Sequence, residues 1–398
     1  MNLNLLGIHT AETALTPAEA GYRTAALEGL EVYLQQLVKE GKLQGASYLL
    51  SKNGQAFAIG AAGKLRHNEE AGGLLPDSIR RVASITKLFT LVSLLKLMEE
   101  GKLYLHQAVK DWLPEFQHPV YERITIHHLL THTSGLVPDP GFHLEPYMLG
   151  WWDIDFTFDD RPGSEPDRSP EEETAFRKSQ WIKSILAAYP VSEPGKEWRY
   201  SSAGFAILGE VITRVSGMHY EDYVRTAIIE PLSLKRTFFA VPDELQDEVA
   251  VTDDWDLSRL TRGGDREISP PRAGGGLYST LADLNRFGTM LMTGTLDGKR
   301  MLSRKSVELL QRDQFPQGIP GFNWGAEERH HHFGLSCTVP TPVDLHGPSA
   351  FLHEGAGMSM LVIDPAEQFV AVIFVPTAEG WVPEAIINVR NMIWSGLQ

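Results

Sequence analysis

Residues 23 to 40, RTAALEGLEVYLQQLVKE, repeat apolar positions at helical spacing and stop before Gly41, which predicts an amphipathic helix with a glycine cap. Two strand-like runs follow, ASYLLSK and QAFAIGA, joined by Asn53-Gly54, the strongest short hairpin signal available in sequence. Near the other end MSMLVI and FVAVIFV flank Asp364-Pro365-Ala366-Glu367-Gln368, and an amphipathic stretch from Pro383 to Leu397 can pack on them. The two termini thus offer matching helix and antiparallel-strand material. Between them, from about 84 to 270, the patterns are mostly helical, with a long irregular segment from Pro138 to Ser179. That segment carries Phe142, Tyr147, Trp151, Trp152, Phe156 and Phe158 among many acidic residues, as a lid or pocket wall would, or a surface excursion anchored by its aromatics.

The chain has 398 residues, 42% of them apolar and 22% charged, with no low-complexity tract and no internal repeat, so a large core is available to a soluble protein. A net charge of −15 excludes a nucleic-acid backbone or an anionic membrane as the expected partner. Cys337 is the single cysteine, so neither an intramolecular disulfide nor a multi-cysteine metal site can form. No signal-peptide pattern opens the chain and no apolar run is long enough to span a bilayer, so a cytoplasmic location is expected.

Ser-x-x-Lys occurs twice, at Ser84-Ile85-Thr86-Lys87 and Ser93-Leu94-Leu95-Lys96. Ser84 follows the extended Ile79-Arg80-Arg81-Val82-Ala83 and opens an apolar run ending at Glu99-Glu100-Gly101, whereas Ser93 lies inside that run. At a helix start the Ser84 hydroxyl is exposed, Lys87 projects from the same side one turn on, and the unpaired N–H groups can steady an oxyanion. A helix apolar nearly all round is buried, which desolvates Lys87, lowers its pKa and lets it act as a base. By themselves Ser84 could be an ordinary N-cap and Lys87 a surface residue. His330-His331-His332 cannot all face one ion and has no carboxylate or Cys partner at ligand spacing, so a solvated loop is expected there, and no metal or cofactor. His127, His128 and His132 read as packing or hydrogen-bonding residues. His-Glu-x-x-His and Gly-x-Ser-x-Gly are both absent, which removes the zincin and α/β-hydrolase readings. Gly275-Gly276 ahead of Thr280-Leu281-Ala282-Asp283 reads as a turn entering a capping-box helix.

Further segments tip the balance. Pro194 to Gly209, PGKEWRYSSAGFAILG, resembles the segment of class C β-lactamases and related esterases in which Tyr-x-Asn opens a helix beside the nucleophile. ITIHHLLTHTSGL at 124 to 136, Gly275-Gly276-Leu277-Tyr278-Ser279-Thr280 and His353-Glu354-Gly355 are similar to further family segments, the last to Lys-Thr-Gly of lactamases and His-x-Gly of esterases. Order and spacing match from about residue 25 to the C-terminus.

The resemblance implies an α/β domain built from both termini, 1–83 and 271–398, whose antiparallel sheet is flanked by terminal helices. A mostly helical domain, 84–270, is inserted, with 138–179 as a lid-like loop and the active site between the domains. It also implies that Ser84 attacks the acyl carbon, that Lys87 and Tyr200 share the proton work in an unassigned order, and that the Ser84 and Ala356 N–H groups hold the oxyanion. Ser202, His353, Glu354 and Gly355 would touch substrate. Ser202 in place of Asn has no amide carbonyl, and His353 in place of Lys lacks a permanent charge. An ionised Glu354 in the cleft would repel carboxylates; alternatively, since side chains alternate along a strand, Glu354 points away from the cleft. The expectation is a metal-free hydrolase of small esters or amides with esterase-like preference; a β-lactamase, D-amino-acid peptidase or acyltransferase keeps the same fold, and a non-catalytic penicillin-fold sensor is the rival of another class.

Overall fold

The computed structural model describes residues 2–3, 7–68, 72–139, 168–260, 266–323, 326–378 and 382–398. Its main element is a seven-stranded antiparallel sheet. In spatial order the strands are Asn2–Leu3, His9–Thr10, Gln55–Gly63, Gly45–Lys52, Phe369–Phe374, Ser359–Asp364 and Phe351–Gly355. The centre of the sheet therefore joins the two ends of the chain, with Phe369 opposite Lys52 and Phe374 opposite Ser47. Asn53 and Gly54 both take positive φ, 53° and 76°, as the tight hairpin turn between the two early strands requires.

The strands are continuous apolar runs because both faces are covered. Tyr48, Leu50, Ala371, Ile373, Met360 and Val362 point into a layer formed by the N-terminal helix Thr24–Lys39 and the C-terminal Glu384–Asn388 and Val389–Trp394 segments, through Leu30, Leu34, Ile386 and Ile393. Leu49, Val370, Val372, Leu361 and Ile363 alternate with them and face the larger core around Leu281–Thr293, Thr86–Glu99 and Ala203–Ser216. Phe89 stacks on Phe287 with ring centroids 3.8 Å apart, fixing the Ser84 helix to the helix that covers the sheet.

Several expectations change at element scale. The segment 138–179 does not run as loop to its end, because Pro170–Leu186 is a helix whose N-cap Ser169 and N3 residue Glu172 form a reciprocal capping box. The aromatics Phe142, Tyr147, Trp151, Trp152, Phe156 and Phe158 lie outside the described residues. Thr280 caps Leu281–Thr293 as expected, but the Asp283 carboxylate turns to the Arg236 N–H and the Thr237 hydroxyl, so no box closes. His331 ends the strand Ala326–His331, with its ring 3.8 Å from that of Trp198, and His332 meets Asp313 at 2.7 Å; these two are not in a solvated loop. Among the described residues no helix is long and apolar enough to cross a membrane.

Candidate active site

The strand Ile79–Arg81 leads through Val82 into a 3-10 turn, Ala83–Ile85, which continues as the helix Thr86–Glu99. Ala83, immediately before Ser84, has φ of 44°, a left-handed conformation that costs an L-residue roughly 1–2 kcal/mol. Neighbouring bonds hold it there. The Thr86 hydroxyl donates to the Ala83 carbonyl (2.6 Å) and accepts from the Leu277 N–H (3.1 Å), while the Val82 N–H donates to the Leu277 carbonyl (2.9 Å). Ser359, on the sheet, donates its hydroxyl to the Val82 carbonyl at 3.1 Å. Ser84 is thus presented by backbone tied to two other segments. Ser93 is deep in the helix, fully buried, and its hydroxyl donates to the Phe89 carbonyl.

Lys87 is fully buried one turn beyond Ser84. Its Nζ donates to Ser84 Oγ (3.1 Å), Ser202 Oγ (3.1 Å) and the Gly274 carbonyl (2.7 Å), and lies 4.8 Å from the centre of the Tyr200 ring. Burial brings its pKa down to about 7, partly opposed by the charge of Asp139. Tyr200 neighbours the pair, and Ser84 is close enough to act on its phenol. Burial raises its pKa, the nearby Ser84 hydroxyl opposes that, and the charges of Asp139 and Glu354 add to the rise. Around neutral pH the phenol therefore holds its proton while Lys87 is close to half neutral.

Ser202 stands at the N-terminus of Ala203–Ser216, yet its side chain does not cap that helix. Asp139 does so instead, accepting from the Ser202 and Ala203 N–H groups at 2.9 Å each, which frees the Ser202 hydroxyl to accept from Lys87. A buried carboxylate at a helix N-terminus is favoured by the positive end of the helix dipole. Asp139 is a site residue that the sequence did not disclose, because a cap supplied from 63 positions away leaves no local pattern.

Gly355 meets the backbone ahead of Ser84 and His353 lies near Tyr200, whereas Glu354 pairs with Arg390. A Cβ added to Gly355 would lie 2.2 Å from the Val82 carbonyl, so only glycine lets this strand approach the Ser84 turn so closely. His353 is buried on the cleft side of the strand, its ring 6.4 Å from that of Tyr200. Its Nδ1–H donates to the Glu354 carbonyl at 2.7 Å, and burial, with Lys87 adding, depresses its pKa to about 3, so the ring is neutral. Glu354 shares the opposite face with Leu352, which packs in the terminal-helix layer, and its carboxylate lies 3.7 Å from Arg390. Strand alternation turns its charge away from the place where Glu354 was expected to repel a substrate carboxylate, and burial raises its pKa. Ala356 follows in the exposed turn.

His132 is buried among Tyr200, Phe205, Phe333 and Trp198, at ring separations of 4.4 to 5.7 Å, and its Nδ1 accepts from the Ser201 N–H. Burial keeps it uncharged, so it orders the backbone beside Tyr200. His127 meets Gln314 at 3.0 Å, and His128 closes a capping box with Thr125 on Ile126–Leu130. Among the described residues no group of His, Cys, Asp and Glu could hold a metal ion.

The chain matches the family model for Beta-lactamase over residues 30–388. It is 27% identical over 365 residues to Protein Rv1367c of Mycobacterium tuberculosis (strain H37Rv), covering 86% of this chain and 80% of that one. It is 26% identical over 396 residues to Esterase EstB of Burkholderia gladioli, covering 88% and 93%. Among solved structures, "EstCE1, a hydrolase with promiscuous acyltransferase activity" shares the fold, with a TM-score of 0.71 at 20% identity over 93% of this chain and 98% of that one.

Proposed function

Because the chain belongs to the Beta-lactamase family, we propose that it hydrolyses small uncharged esters through an acyl-Ser84 intermediate. The observation that carries this reading is the contact of one fully buried, near-neutral amine, Lys87 Nζ, with the hydroxyl of Ser84 at 3.1 Å. An unprotonated amine there can take the serine proton as the hydroxyl oxygen attacks the acyl carbon. The carbonyl electron pair moves to oxygen, where the Ser84 and Ala356 N–H groups receive it. Collapse of the tetrahedral species breaks the bond to the leaving alkoxide, which takes a proton from Tyr200; the Lys87 ammonium, which holds the proton taken from Ser84, then returns one to the Tyr200 oxygen and is neutral again. Water then repeats the sequence on acyl-Ser84, releasing the acid and the free serine. Lys87 is the first base in this reading, since Tyr200 keeps its proton at neutral pH.

The preference for esters over penicillins rests on the neutral His353 and the short Ser202, neither of which offers what a substrate carboxylate or acylamide would need. The likeness to Esterase EstB supports the same direction. Intact-mass spectrometry with a panel of neutral esters, β-lactams and D-peptides, on wild type, Ser84→Ala and Ser93→Ala, tests it. Ester hydrolysis should fall on the order of 10³-fold or more in Ser84→Ala and persist in Ser93→Ala. An adduct that survives Ser84→Ala overturns the nucleophile. An adduct that forms on Ser84 and never leaves overturns turnover and favours a sensor.

A further inference from the structure

The strand that feeds the nucleophile carries a buried arginine. Arg80, four positions ahead of Ser84, has a side chain only 1% exposed, and its partner Asp256 is 3% exposed. One guanidinium nitrogen, Nη1, donates to Asp256 Oδ2 at 2.8 Å and to the Ala250 carbonyl at 3.0 Å. The other, Nη2, reaches across to the sheet and donates to the carbonyl of Gly357 at 3.0 Å. Arg81 closes the network with Nε on Asp256 Oδ1 at 2.6 Å. The target of Nη2 matters because Gly357 follows Ala356 in the turn between Phe351–Gly355 and Ser359–Asp364, and the Met358 N–H closes that turn on the Gly355 carbonyl. Contact there is tight: a Cβ on Gly357 would sit 2.3 Å from Nη2.

We infer that Arg80, held by Asp256, is a positioning residue that sets the oxyanion site, by clamping the Gly355–Met358 turn to the strand that delivers Ser84. This rests on the reading of Ser84 as nucleophile and Ala356 as its partner donor. The two N–H groups belong to separate pieces of backbone, one at the head of the Thr86–Glu99 helix and one at the lip of the sheet. Oxyanion stabilisation requires them to converge on one point within a few tenths of an ångström, and donors left loose must reorganise at the moment of reaction. Two bonds span the gap near that point: Ser359 Oγ to the Val82 carbonyl and Arg80 Nη2 to the Gly357 carbonyl. The second fixes the turn on the far side of Ala356, so the Ala356 N–H lies between two anchored residues, Gly355 and Gly357. A buried ion pair adds little net stability over an apolar packing of equal volume. What an apolar residue could not supply is the directed donor on Gly357.

The test compares an activated acetate ester with its thiono analogue, in which sulfur, a poor hydrogen-bond acceptor, replaces the carbonyl oxygen, on wild type, Arg80→Lys and Gly357→Ala. Lysine keeps a charge beside Asp256 but cannot span to both Asp256 and Gly357; alanine at 357, strained by the φ of 75° as well as by its contact with Nη2, shifts the turn relative to the guanidinium while leaving the Arg80–Asp256 pair in place. In either folded variant kcat for the oxygen ester should fall about 10- to 100-fold, with KM within roughly threefold and the thiono ester little affected, so that the oxygen-to-thiono ratio drops at least tenfold. A folded variant whose two rates fall in parallel, or whose ratio stays at the wild-type value, overturns the inference. If Arg80→Lys fails to fold, Gly357→Ala in the partly exposed turn decides it by the same ratio. Ser84→Ala run alongside separates the premises: residual wild-type hydrolysis there sinks the nucleophile, whereas a dead Ser84→Ala with unchanged ratios in the other two sinks only the clamp.

Discussion

Lys87 bonds the Ser84 hydroxyl with the Tyr200 ring beside it, and burial pushes both toward the uncharged form, the amine down to about 7 and the phenol upward. Two consequences can be measured. Tyr200→Phe keeps the ring beside His132 and Lys87 but removes the proton, so kcat should fall on the order of 10²- to 10⁴-fold with KM nearly unchanged; an unaltered kcat would take Tyr200 out of the chemistry. A protonated Lys87 cannot accept from Ser84, so kcat/KM for a neutral ester should climb with pH through about 7 and level off above it. A profile flat from pH 5 to 9 would contradict that role. The same depressed pKa bears on stability. The unfolded chain, with an ordinary lysine near 10.5, binds more protons than the folded one between about 7 and 10.5, so this residue makes folding more favourable as pH rises through that window.

At the scale of elements, the site depends on a helix capped from a distance. Asp139→Asn keeps an oxygen for the Ser202 and Ala203 N–H groups but deletes the charge that raises the pKa of Lys87. The acid limb of the pH profile should therefore move to lower pH, and Asp139→Ala should also lower stability by about 1 kcal/mol through the lost cap. A limb that stays in place in Asp139→Asn would show that the charge is screened from the amine. This cap also shows where sequence stops being legible. Local patterns disclosed the Asn53-Gly54 hairpin, the Thr24–Lys39 helix and the buried Ser84 helix, because each follows from the spacing of neighbours. Asp139 goes unread, the face taken by Glu354 stays open between two, and the helix that begins within 138–179 is missed. The first depends on a partner remote in sequence, the second on strand register, and the third on a Ser169–Glu172 capping box that a long polar stretch concealed.

Over the whole molecule, a net charge of −15 surrounds a site whose histidines, His132 and His353, are neutral. An anionic ester then approaches against the overall field with no imidazolium to receive it, while a neutral one is indifferent. For a matched pair, kcat/KM of the anionic ester should rise severalfold between low and physiological ionic strength while that of the neutral ester stays constant. Equal salt dependence would mean that the field does not reach the cleft.

The pairing of Gly45–Lys52 with Phe369–Phe374 also has a meaning in time. A ribosome adding about 5–20 residues per second brings out the second strand roughly 15–60 s after the first. Throughout that interval the early strands lack their partner: the Thr24–Lys39 helix can cover the side of Leu50 and Phe57, but the side of Leu49 and one strand edge stay uncovered, the condition in which nascent chains stick to one another. The centre of the sheet is thus among the last parts of the molecule to be paired, long after its first two strands have left the ribosome.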